Sequence, residues 1–267
     1  MSKRIEIVNS FYNEIDEDGR LDRSRHGQME YFTTMEYIHR FAQTGAKVLE
    51  IGAGTGRYSI ALAKEGYEVT AVELVEHNLE VLKKNSSDLK NLQAYQGDAL
   101  DLGRFADGEF DVTLVFGPIY HLYDKKDVHK ALDEAIRVTK EDGVIFVAFL
   151  SVYAILFDNY LNGSLVEGIK ENFTENYQVK HFEEQLFTGY DIVEFEELFA
   201  EKDVETLALA AVDSVLELAE GRKDFAMSDE EFEVFVKYHL ATCEKRELLG
   251  CSSHLIYVCR KYDIKTF

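Results

Sequence analysis

The chain has 267 residues, 46% of them hydrophobic, which is enough to bury a core and too many for wholesale disorder. Fifty Asp and Glu against 29 Lys and Arg give a formal charge of −21, which repels phosphate backbones and disfavours a nucleic-acid partner. Three cysteines (Cys243, Cys251, Cys259), seven residues between neighbours, fit neither a disulfide framework nor a zinc site and predict free thiols in a reducing compartment.

At about 100–200 residues per domain, the whole of 1–267 reads as one domain with embellishments. Its first residues, Met1-Ser2-Lys3-Arg4-Ile5-Glu6, lack the apolar run of a signal peptide, so a cytoplasmic location is expected. Residues 1–45 read as helices, a cap outside a sheet. From 46 to 150, short apolar runs alternate with helical patterns. Strands are expected at 47–51, 67–73, 91–96, 110–116 and 143–150, rich in Val and Ile with little alternation, as in a parallel sheet buried on both faces. The intervening 55–64, 75–85 and 125–140 carry helical spacing. In the last of these, Val128, Leu132, Ala135, Ile136 and Thr139 share one face. Repeated strand–helix units imply a doubly wound α/β sheet with helices on both faces.

The longest uncharged stretch, 143–157, has fifteen residues, short of the roughly 20 needed to cross a bilayer, so no membrane span is expected. Residues 151–195 read as a lid insertion of helices and loops with large aromatics, among them Tyr153, Phe157 and Tyr160. Over 151–212, thirteen acidic residues face three basic ones, which marks either a solvated outer face or a lid unfriendly to polyanions. Residues 196–267 supply the last strands and helices of the same sheet: a helix at 196–202, a strand at 204–212, a helix opened by the capping box Ser228/Glu231, and an alternating strand at 254–260. The last two strands should end the sheet as an antiparallel pair.

The chemistry centres on Glu50-Ile51-Gly52-Ala53-Gly54-Thr55-Gly56, between a strand and a helix. Glycines there let the chain turn sharply and let a ligand approach the main chain. The next strand ends in Glu73, 21 residues beyond Gly52, where an acid can accept hydrogen bonds from both ribose hydroxyls. A dinucleotide fingerprint wants a small residue at its sixth position, and this chain has Arg57. The acid Glu50 beside the turn suits a cationic ligand end better than a pyrophosphate.

On these residues the chain resembles the class I S-adenosylmethionine-dependent methyltransferases, most closely a bacterial small-molecule branch. Glu50 to Gly56 resembles their first motif, and Glu73 the acid that holds the ribose. Gly97-Asp98-Ala99 resembles the segment whose Asp contacts the adenine amine, and Phe116-Gly117-Pro118 the turn after the fourth strand. The resemblance implies a seven-stranded sheet of order 3-2-1-4-5-7-6 with strand seven antiparallel. It implies S-adenosyl-L-methionine as cofactor, in-line displacement of its methyl group, and no metal. Cofactor contacts are then expected at Glu50, Gly52, Ala53, Gly54, Gly56, Glu73, Leu74, Asp98, Ala99 and Phe116, with Tyr12 and Arg25 reaching in from the cap. Gly117 stands where amino-methylating DNA enzymes carry a polar residue, which again points away from nucleic acid.

Tyr120 and His121 follow the fourth strand and are the catalytic candidates. His121 can act as a general base or cap the following helix. The other histidines form no i,i+4 pair. His254 opens the last strand and could face the site, or serve as a structural histidine. The expected acceptor is a small molecule. Two further readings stay open: a non-catalytic cofactor-binding regulator or partner subunit, and a protein or tRNA methylase. A homodimer is also left open.

Overall fold

The computed structural model describes residues 2–183 and 185–262. Its centre is an eight-stranded sheet: β1 (Lys47–Ile51), β2 (Glu68–Glu73), β3 (Leu92–Gln96), β4 (Phe110–Val115), β5 (Thr139–Ser151), β6 (Gly189–Tyr190), β7 (Val204–Ala211) and β8 (His254–Lys261). The order is β3-β2-β1-β4-β5-β8-β7, with the two-residue β6 paired to β5. Strands β1 to β5 run parallel, and β8 is antiparallel to both β5 and β7. Apart from the extra β6, this is the expected order, with β8 and β7 as strands seven and six.

The inner strands form because both their faces are covered. Val48, Leu49, Phe110, Leu114, Val115, Phe146 and Val147 are fully buried. Around them pack α1 (Lys3–Glu14), α2 (Arg25–Phe41), α3 (Arg57–Lys64), α4 (Glu76–Asn85) and α5 (Lys125–Val138). Tyr37 and Ile38 of α2 join the main core, so α2 is an integral layer; α1 buries only Arg4 and Val8.

Two expectations shift. The helix expected at 196–202 is α8, Ile192–Glu197, because the Asp191 side chain accepts from the amides of Val193 and Glu194 and starts it earlier. Strand β5 begins four residues before its expected start. Asp142 at φ 61 and a register shift between Phe110 and Val112 carry the chain through an irregular opening. The segment after β5 forms α6 (Val152–Tyr160) and α7 (Leu165–Asn172), with a small core of its own built on Val152, Leu156 and Phe173. The remaining helices are the short α9 (Leu216–Glu220), not expected, α10 (Asp229–Thr242), opened by the Ser228/Glu231 capping box, and α11 (Arg246–Leu249). Among the described residues no helix is long and apolar enough to cross a membrane.

The chain runs outward from β1 to β3 and returns to β4 on the other side of β1. That reversal opens a crevice at the carboxyl ends of the strands, where open α/β sheets bind ligands.

Candidate active site

The crevice holds a cavity of about 740 Å³. Its floor is the turn between β1 and α3. Gly52, Gly54 and Gly56 all have positive φ (81°, 54° and 94°). At Gly52 an added Cβ would lie 2.2 Å from the Phe116 carbonyl oxygen, and at Gly56 it would meet Leu82 at 2.8 Å, so both are held to glycine by packing. Gly52 and Gly54 line the cavity with Ala53; Gly56 lies behind them at the start of α3. The amides of Gly52 and Ala53 donate to the Val72 carbonyl, which ties the turn to β2.

Glu73 closes β2 at the cavity wall. The Gly54 amide donates to its Oε2 (2.7 Å) and the Val75 amide to its Oε1 (2.8 Å). Burial raises its pKa against those two bonds. Glu50, 1% exposed, accepts from the Ser59 hydroxyl of α3, and burial pushes it up to about 8. Both acids line the cavity, as do Leu74, Asp98, Ala99 and Phe116. Asp98 accepts from the Leu100 amide (3.1 Å) and pairs with the Arg4 guanidinium of α1.

The 3₁₀ turn Pro118–His121 follows β4 and brings Tyr120 and His121 to the cavity. His121 Nδ1 donates to the Leu186 carbonyl at 2.8 Å, which fixes the tautomer and leaves Nε2 as an acceptor. The Tyr12 hydroxyl of α1 donates to that Nε2 at 3.0 Å. Burial lowers His121 to about 4, so the ring is neutral. Tyr12, expected at the site, is therefore joined to a residue 109 positions away in sequence.

Arg25 is not brought to the cavity. Its guanidinium pairs with Asp229 and covers the Phe232 ring at 4.6 Å, because the start of α2 packs on α10. Arg20 lines the cavity instead, from a 3₁₀ turn (Arg20–Asp22) ahead of α2. It makes two 3.0 Å bonds to Glu30 and one to Glu17. Burial alone would raise Glu30, but Arg20 and His254 overrule it and hold it at about 2. His254 also lines the cavity; its Nδ1 donates to Asp213 at 2.7 Å. Spacing gave no signal for Arg4, Glu17, Arg20 or Glu30, since only the tertiary path of 1–45 brings them to the sheet. Tyr153, Phe157 and Tyr160 do not line the cavity. Tyr153 and Tyr160 pack in the small core after β5 and Phe157 is exposed.

Chemically, the cavity joins the glycine turn to several acids, among them Glu50, Glu73 and Asp98. It also offers a neutral histidine, tyrosine hydroxyls and several cationic groups, among them Arg4, Arg20 and His254.

A family model described as "Methyltransferase domain" matches residues 49–147. A demethylmenaquinone methyltransferase from Staphylococcus aureus (strain MRSA252) is 31% identical over 170 residues, covering 56% of this chain and 68% of that protein. A protein of the same name from Staphylococcus saprophyticus is 39% identical over 107 residues, and the chain spans 44% of it. A Thermotoga maritima structure titled "SAM-dependent methyltransferase, possible histamine N-methyltransferase" superposes with a TM-score of 0.57 at 18% identity, covering 96% of this chain and 99% of that one. The PH0226 protein of Pyrococcus horikoshii OT3 gives 0.61 at 16% identity, covering 94% and 98%. These two likenesses are of fold.

Proposed function

We propose that this chain, which belongs to the class I S-adenosylmethionine-dependent methyltransferases, methylates a small-molecule acceptor held in its cavity. The observation that carries the acceptor class is the cavity itself. Its volume of about 740 Å³ has to take the cofactor as well, so what is left between the glycine turn and Tyr120, His121 and His254 suits a small ligand and not a polymer. The curated relatives named for demethylmenaquinone support the same class.

The residues present fit the cofactor. Gly52 and Gly54 put main chain, with no side chain, at the cavity wall. Glu73 is pinned by two amides through one lone pair on each oxygen, so each oxygen keeps a lone pair for ribose hydroxyls. Asp98 and Ala99 would hold the adenine, and Leu74 and Phe116 line the same cavity as apolar neighbours. Glu50 is a buried carboxyl that a cationic amino group would satisfy. Bound S-adenosylmethionine supplies a methyl group made electrophilic by a positively charged sulfur. The chain's part is to hold the acceptor in line and exclude water. Where the acceptor must lose a proton, Tyr12 and His121 form a relay: the acceptor's hydroxyl proton passes to Tyr12 Oη as the Tyr12 proton passes to His121 Nε2. A ring held at about 4 is a weak base, so the relay suits an acceptor whose own hydroxyl is acidic.

The test is methyl transfer from labelled S-adenosylmethionine into a cell extract, followed by size fractionation. Label in the small-molecule filtrate is the expected result. Label retained on protein or tRNA sinks the reading, and so does cofactor binding without transfer.

A further inference from the structure

The cavity holds a second histidine, to which the cofactor assignment gives no role. His254 begins β8 and pairs with Leu150 of β5. His121 follows β4, on the other side of β5. With adjacent strands about 4.8 Å apart, the two rings enter the cavity from strands roughly 10 Å apart. Their settings are opposite. The Nδ1–H of His121 is spent on a neutral carbonyl, whereas that of His254 is spent on a carboxylate, Asp213.

Asp213 is built for that contact. It is fully buried, accepts from the Ser252 hydroxyl, and receives the His254 main-chain amide as well as its ring. Four groups face the His254 ring from the surrounding elements. Asp213 follows β7, and Glu217 on α9 offers an oxygen within 4.8 Å. Glu30 on α2 lies 3.9 Å from Nδ1, and Arg20 stands behind Glu30. Burial would lower the ring's pKa, but Glu30 and Asp213 overrule it and push it up to about 9. With Nδ1 committed, Nε2 has no protein partner among the described residues, and the residue lines the cavity.

Resting on the small-molecule reading above, we infer that His254, positioned by Asp213, is the acceptor-recognition residue, and that its Nε2–H binds an oxyanion of the acceptor, a carboxylate, phenolate or enolate oxygen. Arg20 is committed to Glu30 and Glu17, and His254 Nδ1 to Asp213; with Glu217 also near, carboxylates outnumber cations here, so recognition rests on the direction of the Nε2–H bond and not on net charge. His254 Nε2–H is then a directed, charge-assisted donor at the cavity wall. A neutral or cationic group at that point leaves the donor unmatched or repelled.

The experiment uses benzoate, benzamide and benzylamine, near-isosteres that differ in charge, against the full chain saturated with S-adenosylhomocysteine. Benzoate should bind more tightly than the other two by about ten-fold. It should shift the His254 ring signals in NMR, and His254→Gln should abolish the preference while leaving the affinity for S-adenosylhomocysteine unchanged. In the wild-type protein the ring should already be an imidazolium at neutral pH, and Asp213→Asn should lower its pKa. The inference is overturned by a neutral His254 ring, by benzoate binding no tighter than benzamide, or by a preference that survives His254→Gln. It is also overturned if His254→Gln weakens S-adenosylhomocysteine, which would make the residue part of the cofactor site. Failure of all three probes to bind overturns the inference, while the small-molecule reading stands or falls with the labelling experiment; benzamide or benzylamine binding best also overturns the inference alone.

Discussion

At the scale of single residues, burial and partners pull against each other in the cavity, burial winning at Glu50 and His121 and partners at Glu30 and His254. Glu50 is the clearest case. Held at about 8 by burial against the Ser59 bond, it is protonated at neutral pH. A cationic amino group beside it favours the charged form, so binding S-adenosylhomocysteine should release a proton near pH 7. Calorimetry in two buffers of different ionisation heat reads this directly, and Glu50→Gln should remove the buffer dependence; its absence in the wild type would refute the assignment. The two histidines make opposite predictions for stability. An unfolded histidine titrates near 6.5. His121, at about 4, contributes fully above 6.5 and loses its contribution as pH falls toward 4. His254, at about 9, contributes fully below 6.5 and loses it as pH rises toward 9. Each span of about 2.5 pH units corresponds to a limit of roughly 3 kcal/mol. Urea midpoints should therefore lose their acid slope in His121→Gln and their alkaline slope in His254→Gln. Parallel curves for wild type and variants would contradict both.

At the scale of elements, what the sequence disclosed follows from how local each cause is. Strands β1 and β4 were legible because Val48, Leu49, Val112 and Leu114 sit in runs that only a doubly covered strand explains. The glycine turn was legible because steric demand at Gly52 is written in residue type. The start of α8 was not, because one Asp191 side chain outweighs helical spacing further on. Nor was the choice between Arg20 and Arg25. Both lie in one basic, polar stretch, and only the turn at Gly19, φ 74, sends the first inward while α10 captures the second. Helix α1 shows the same dependence on distant partners. It is fastened by Arg4 to Asp98, by Tyr12 to His121, and by the edge of Phe11 on Phe187, centroids 5.3 Å apart. With few fully buried side chains, it belongs to the low-stability end of the molecule. Arg4→Ala should accelerate amide exchange through Lys3–Glu14 while β1 and β4 keep their protection. Unchanged exchange in α1 would mean that the Arg4–Asp98 pair does not hold it down.

At the scale of the whole molecule the governing quantity is the net charge of −21. Two effects of added salt oppose each other. Screening weakens the surface ion pairs, such as Arg222–Asp224 and Arg246–Glu196, but exposed pairs contribute little. Screening also relieves the repulsion among unpaired carboxylates. Spread over 13343 Å² of surface, the excess charge amounts to one unit per roughly 640 Å², a mean spacing of about 25 Å. That spacing lies inside the Debye length of about 30 Å at 0.01 M salt and well outside the one of about 10 Å at 0.1 M. Repulsion therefore dominates at low salt and is largely gone at moderate salt, so the melting temperature should rise between 0.01 and 0.1 M NaCl. A flat or falling melting temperature would show that the ion pairs outweigh the repulsion. The same field acts on ligands. A polyanion samples many of these charges at once and is turned away at low salt, whereas a small acceptor with a single oxyanion meets mainly the local donors inside the cavity. Measured on the protein loaded with S-adenosylhomocysteine, benzoate affinity should therefore change far less between the two salt concentrations than the melting temperature argument alone suggests. A steep salt dependence would place benzoate on the surface instead.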